Sequence, residues 1–182
     1  MARRVVNQEQ LVRAARALFL RDADVDMAEL AAALAVSRAT LYRVAHNRDS
    51  VLSDVLWHLA DQVLCRARSH RTSGGVEGVL EVTRYFTDQL RAAGAFRAFL
   101  RREPETAARV LLSGSLHRRA VHAQRQILLE VPGSCAVHLL DQVAFLYVRI
   151  VESALYSELL GGTPLDRRVA EGAARTILLQ AS

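Results

Sequence analysis

Residues 26–52 read DMAELAAALAVSRATLYRVAHNRDSVL, and their order decides how the chain folds. Asp26 followed three residues later by Glu29 has the spacing of a capping box, which predicts a short helix over 27–34. Ala35, Val36 and Ser37 then make a tight turn, with Ser37 placed to cap a second short helix over 38–44. Leu41 and Val44, at i and i+3, can anchor that second helix on a core. Arg38, Thr40, Tyr42 and Arg43 then remain on its other side, an unusual concentration of donors in a chain that is 51% hydrophobic. The stretch is predicted to be helix, turn, helix within about twenty residues.

Working outward, helical periodicity dominates and no stretch alternates over strand length. A helix over 8–20 places Leu11, Ala14, Ala15, Leu18 and Phe19 on one face, and an acidic loop follows it. Asn47 can cap a long helix over 48–70, with Val51, Val55, Leu59 and Val63 at i+4 steps and Leu52 and Leu56 beside them. Further helices are predicted over 76–93, 95–102, 105–112, 115–130, 136–160 and 166–180. The three prolines and the glycine pairs at 74/75 and 161/162 fall between them. The stretch RTSGG at 71–75 has the composition of a flexible joint. The predicted fold is all-α: a three-helix helix-turn-helix module over 1–47, then a larger helical ligand-binding and dimerisation domain over 48–182.

The 182 residues are enough for a full core. Net charge is +5, and all 24 basic residues are Arg, with no Lys. That balance favours an anionic partner such as nucleic acid, and guanidinium forks suit phosphate and guanine. A GC-rich coding bias accounts for the absence of Lys more simply. Cys65 and Cys135 are distant and solitary, so neither a disulfide framework nor a CxxC metal site is suggested. No apolar run reaches the roughly 18 residues of a membrane span, and no signal-peptide core follows the start. A cytoplasmic protein without membrane contact is the expectation, and no cofactor is implied.

In a helix-turn-helix the second helix enters the major groove of double-stranded DNA, N-terminal residues first. Arg38 or Arg43 could bond guanine bidentately, while Ala39 or the Thr40 methyl could touch a thymine methyl. Ser37 and Tyr42 are better suited to phosphate. Arg48 stands at the start of the long helix, where free N–H groups also favour an anion. Arg3 and Arg4 could reach along the backbone or minor groove. Capped short helices bearing an Arg or two also occur in all-α proteins with no nucleic-acid partner, so the spacing alone leaves DNA binding open.

The same stretch resembles the N-terminal module of TetR-family transcriptional regulators. The matching positions are Leu30, Ala31, Val36, Ser37, Thr40, Leu41, Tyr42, Arg48, Asp49 and Leu52. The resemblance implies a DNA-binding repressor that acts as a homodimer and answers to a small effector. Three positions depart from the family pattern: Ala35 replaces the usual turn Gly, Ala45 replaces a Phe, and Arg48 replaces a Lys. Within the family, YRVAHNRDSVLSDVLW and FLRREPETAARVLL are similar to the QsdR-type branch, regulators of quorum-signal lactone degradation.

The segment 136–160 is apolar nearly all round, so it must be covered on two sides. A second subunit or the chain's own core can supply the second cover. With the last helix it suggests a dimer interface of Val148, Val151, Leu155, Val169, Ala173 and Ile177. A ligand pocket is expected among Trp57, Tyr85, Phe86, Phe96, Phe99, His122, Gln126, Phe145 and Tyr147, an apolar set with a few polar tips that suits an apolar or amphipathic molecule.

Catalysis finds no support: there is no HExxH, no GxSxG and no Gly-rich phosphate loop. His138 with Asp141 is the nearest approach to a metal pair. The rival reading is a helical adaptor or small-molecule-binding protein that leaves DNA alone.

Overall fold

Asn7, Asp26, Ser37, Asn47, Ser113 and Asp166 each cap the helix that follows with a side-chain oxygen, which satisfies N–H groups that have no partner inside the helix. The computed structural model describes residues 6–157 and 163–182. Among these residues the chain forms α1 (Gln8–Asp22), α2 (Met27–Ala33), α3 (Arg38–Ala45), α4 (Arg48–His70), α5 (Gly75–Ala92), α6 (Gly94–Arg102), α7 (Pro104–Leu111), α8 (Gly114–Glu130), α9 (Leu140–Tyr156) and α10 (Arg167–Ala181). There is no strand among the described residues, as the all-α reading expects. Arg3 and Arg4 lie outside them.

The helices follow the predicted spans closely, and the local chemistry differs in three places. Asp26 accepts from the N–H groups of Ala28 and Glu29 at 2.8 Å. The Glu29 carboxylate does not return the bond; it takes a guanidinium hydrogen from Arg21 at 2.5 Å. A reciprocal capping box forms instead at Asn7 and Gln10. The predicted helix over 136–160 begins as a short 3-10 turn at Val137–Leu139 before α9.

The third difference is the joint at 71–75, which is pinned. The Glu81 carboxylate accepts from the Thr72 and Ser73 backbone N–H groups at 2.9 and 3.0 Å, and from the Ser73 hydroxyl at 2.6 Å. These donors hold the Glu81 carboxyl down at about 2. Gly78 completes the seat, because a Cβ there would run into the Ser73 carbonyl oxygen.

Two apolar clusters hold the helices together. The first joins α1–α4 to α6, α7 and the start of α8 through Leu11, Phe19, Leu30, Leu41, Leu52, Phe99 and Val110. Phe19 meets Phe99 edge-on, with ring centroids 5.7 Å apart. The second lies between α5, α8, α9 and α10, around Val79, Leu80, Ile127, Val143, Tyr147 and Leu178. Ala35 sits at φ 54, the left-handed conformation that favours glycine.

Candidate reading face and ligand cavity

Leu41 and Ala45 are buried and Val44 half-buried, so α3 is fastened by one side. Arg38, Ala39, Tyr42 and Arg43 are exposed on the other. Neither Arg38 nor Arg43 has an ion-pair or hydrogen-bond partner among the described residues, so both guanidinium groups stand open to an external anion. Ser37 caps the helix by accepting from the Thr40 N–H at 3.1 Å, and the two hydroxyls lie 2.9 Å apart. That cap is worth about 1 kcal/mol. Part of the hydrogen-bonding capacity of Ser37 and Thr40 is therefore used within α3 itself.

Arg48 does something other than reach outward for phosphate. Its guanidinium donates to both oxygens of Glu103, at 2.9 and 2.6 Å, to Asp24, and through Nε to the Val25 carbonyl at 3.1 Å. Two carboxylates and a carbonyl occupy its fork, where the sequence reading expected DNA phosphate. Those partners also hold its pKa above the usual arginine range, with the Glu103 bond the largest cause.

Between α1, α4, α5, α6, α8 and α9 lies a cavity of about 560 Å³. It runs beside α4 from Leu56 to Arg66 and beside α8 from Leu116 to Ile127, each about 15 Å of helix at 1.5 Å per residue. Of the nine expected pocket residues, Trp57, Phe86, Phe96 and Tyr147 line it.

The other five do not. Phe99 is fully buried in the first core, against Phe19. Tyr85 stacks on His70 at 5.1 Å, and Phe145 is half exposed on the outside, its ring edge-on to His117 at 5.2 Å. His122 and Gln126 sit two residues either side of Gln124, so about 200° round α8 from it. Gln124 is the residue that lines the cavity. The face Leu116, Ala120, Ala123, Gln124, Ile127 carried that signal in its spacing.

Tyr147 is buried, which pushes its hydroxyl well above the usual range. Thr83 Oγ1 donates to the Val79 carbonyl at 3.1 Å, so the Tyr147 hydroxyl is the donor in its 2.7 Å bond to Thr83. His117 Nδ1 donates to both oxygens of Glu152 at 3.0 Å, and Arg149 reaches the same carboxylate at 3.3 Å, so the acid on the cavity wall is already partnered. Two polar atoms of cavity residues are buried with no partner among the described residues: Arg16 Nε and Gln124 Nε2. Asp141 accepts from Arg125 at 2.7 Å, and no group of three metal-binding side chains occurs among the described residues.

The expected interface divides. Val148, Val151 and Leu155 face the cavity, because α9 packs beside α8 and turns that side inward, and Ile177 packs on the second core. Val169 and Ala173 are exposed. Phe145 and Leu146 on α9 and Leu179 on α10 are exposed as well, so the outer sides of this helix pair carry uncovered apolar surface, as Leu20, Leu129 and Val137 do elsewhere.

Residues 74–179 match the family described as "Tetracyclin repressor-like, C-terminal domain". The chain is similar to the transcriptional repressor QsdR of R. erythropolis, a TetR-family protein, with 27% identity, 93% of each chain covered and a TM-score of 0.86. It also shares its fold with the TetR-family repressor AlkX of Dietzia sp., implicated in n-alkane biodegradation, at 21% identity, 98% and 99% coverage and a TM-score of 0.71. No curated relative matches.

Proposed function

The chain belongs to the tetracyclin repressor-like (TetR) family of transcriptional regulators, and from that premise we propose that it is a repressor that binds a near-palindromic operator as a homodimer and is released by a small apolar or amphipathic effector. Residues 1–47 serve as the reading head and 48–182 as the effector and dimer part. The carrying observation is α3: Leu41 and Ala45 are buried while Arg38, Tyr42 and Arg43 stand outward without partners among the described residues. Two such heads about a twofold axis meet DNA one turn, roughly 34–36 Å, or a multiple apart.

Regulation requires an effector with unequal contacts in two states of the head. The cavity favours this, because α1 contributes Arg16, Phe19 and Leu20 to its wall while α4 runs from the head along its length. A coupling of about 1–3 kcal/mol weakens DNA binding about 5- to 150-fold. A lactone is the effector we favour, on the likeness to the QsdR-type branch.

Gel shifts with Arg43→Ala and Tyr42→Phe test the DNA reading. Loss of a base contact relaxes sequence preference by about 1–3 kcal/mol, and loss of a phosphate contact weakens all duplexes alike. Wild-type protein that binds no duplex in a salt-dependent manner would sink the proposal and favour the adaptor reading.

A further inference from the structure

Resting on the ligand-responsive reading, we propose that Gln124 is the polar recognition point of the cavity, and that the ligand is an uncharged, chain-like apolar molecule carrying one amide- or ester-type group that pairs with the Gln124 side chain. Gln124 is 7% exposed, and its amide makes no hydrogen bond among the described residues. Burying an amide without partners costs on the order of 1–3 kcal/mol in proteins, so such a group calls for a partner from outside the fold.

Its neighbours narrow the chemistry. Ala120, Ala123 and Ile127 flank it on α8, and α4, α5 and α9 add mainly Leu, Val and Phe to the wall, with Gln62, Arg66, Gln89 and Glu152 among them. Two other polar groups of the wall are engaged, since Tyr147 donates to Thr83 and Glu152 accepts from His117 and Arg149, while on α1 Arg16 keeps one buried guanidinium nitrogen without a partner among the described residues. A charged headgroup placed against the neutral Gln124 amide would lose its hydration for one uncharged bond. A neutral carbonyl or amide needs only one bond there. The terminal amide torsion of Gln is broad, so a half-turn presents nitrogen or oxygen to the cavity. A secondary amide, which both donates and accepts, therefore suits it best. The two long walls of about 15 Å favour an extended molecule over a compact one.

Trp57 is the only tryptophan of the chain and lines the same cavity, so its emission reads occupancy directly on the full-length protein without DNA. The experiment titrates N-methyldecanamide and methyl decanoate against undecane, which has a similar chain without the polar group, into wild type and Gln124→Leu. In the wild type the amide should bind about tenfold more tightly than undecane, the value of one well-made hydrogen bond, with the ester between them. In Gln124→Leu that preference should fall to near one, with undecane bound as well as before or better. If Gln124→Leu does not fold, Gln124→Met gives the same comparison.

A wild type that binds neither polar probe, or binds amide and undecane alike, overturns the proposal. So does a preference that survives the substitution. The reading of operator DNA is judged separately by gel shift, so either conclusion can fail while the other stands.

Discussion

Arg48, the first residue of α4, holds Glu103, the residue before α7, in a two-toothed ion pair, with Nη1 donating to Oε2 at 2.9 Å and Nη2 to Oε1 at 2.6 Å. The next residue repeats the arrangement with the signs exchanged: Asp49 accepts from Arg109 Nε, on α7, at 2.5 Å. The basic-then-acid pair at the head of α4 thus clasps both ends of α7, and Arg48 also ties in the α1–α2 loop at Asp24 and Val25. Arg48 and Glu103 are each 28% exposed, which limits screening by solvent. Glu103→Ala should lower stability by about 1–2 kcal/mol. A double-mutant cycle with Arg48→Ala, read from urea midpoints at unchanged slope, should return a coupling of about 1 kcal/mol or more. Additive effects would show that the pair is incidental. If Arg48 instead served DNA, Arg48→Ala would cost operator affinity in folded protein and leave the urea midpoint alone.

Ala35 at φ 54 carries a conformational cost of about 1–2 kcal/mol that glycine would not. Glycine gives back part of the gain through its freer unfolded chain. Ala35→Gly should therefore raise stability by about 0.5–1 kcal/mol and the melting temperature by about 2 °C. A lower melting temperature would mean that the methyl group is needed in the turn between α2 and α3.

How much of this was legible in the sequence follows from which interactions are local. Ser37, Asn47 and Asp26 act on N–H groups two or three residues away, so the helix starts could be read from spacing alone. Glu29 was not, because its choice of Arg21 over the Asp26 N–H depends on how α1 lies beside α2. The partners of Arg48 were hidden for the same reason, since the carboxylate its guanidinium meets belongs to Glu103, 55 residues away. In the cavity, Trp57 and Phe86 could be named by type. Gln124 was passed over for Gln126, although the helical spacing of Leu116, Ala120, Ala123 and Ile127 marks the face of α8 to which Gln124 belongs.

Glu81 gives a pH dependence with a definite sign. Its carboxyl falls from the ordinary value near 4.5 to about 2 when the Ser73 and Thr72 donors close on it. A carboxyl held down in the folded state stabilises fully above its unfolded value, and that contribution is lost as the pH falls toward the folded one. The stability gap between wild type and Glu81→Gln should thus be constant near neutrality and shrink below about pH 4.5. Urea melts at a series of acid pH values measure it, and a gap that widens on acidification would refute the assignment. At the same corner Gly78→Ala should cost about 1–3 kcal/mol, since its methyl collides with the Ser73 carbonyl and the segment must move.

The outer sides of α9 and α10 carry the dimer prediction. Phe145 and Leu146 are close to half exposed and Val169 and Leu179 61% exposed, a degree of uncovered apolar surface that a second subunit would bury. Val148, Val151 and Leu155 on the inner side of α9 face the cavity, so the two sides of one helix serve different partners. Leu146→Glu with Leu179→Glu places charge where a partner would exclude water, and should convert the protein to monomer in sedimentation velocity with its helical signal intact. Operator affinity should fall with it, because one head alone spans only half of a twofold site. Val151→Glu, on the inner side, should instead leave the protein dimeric and abolish ligand-dependent change in Trp57 emission. A dimer that survives the outer pair of substitutions would move the interface to another face.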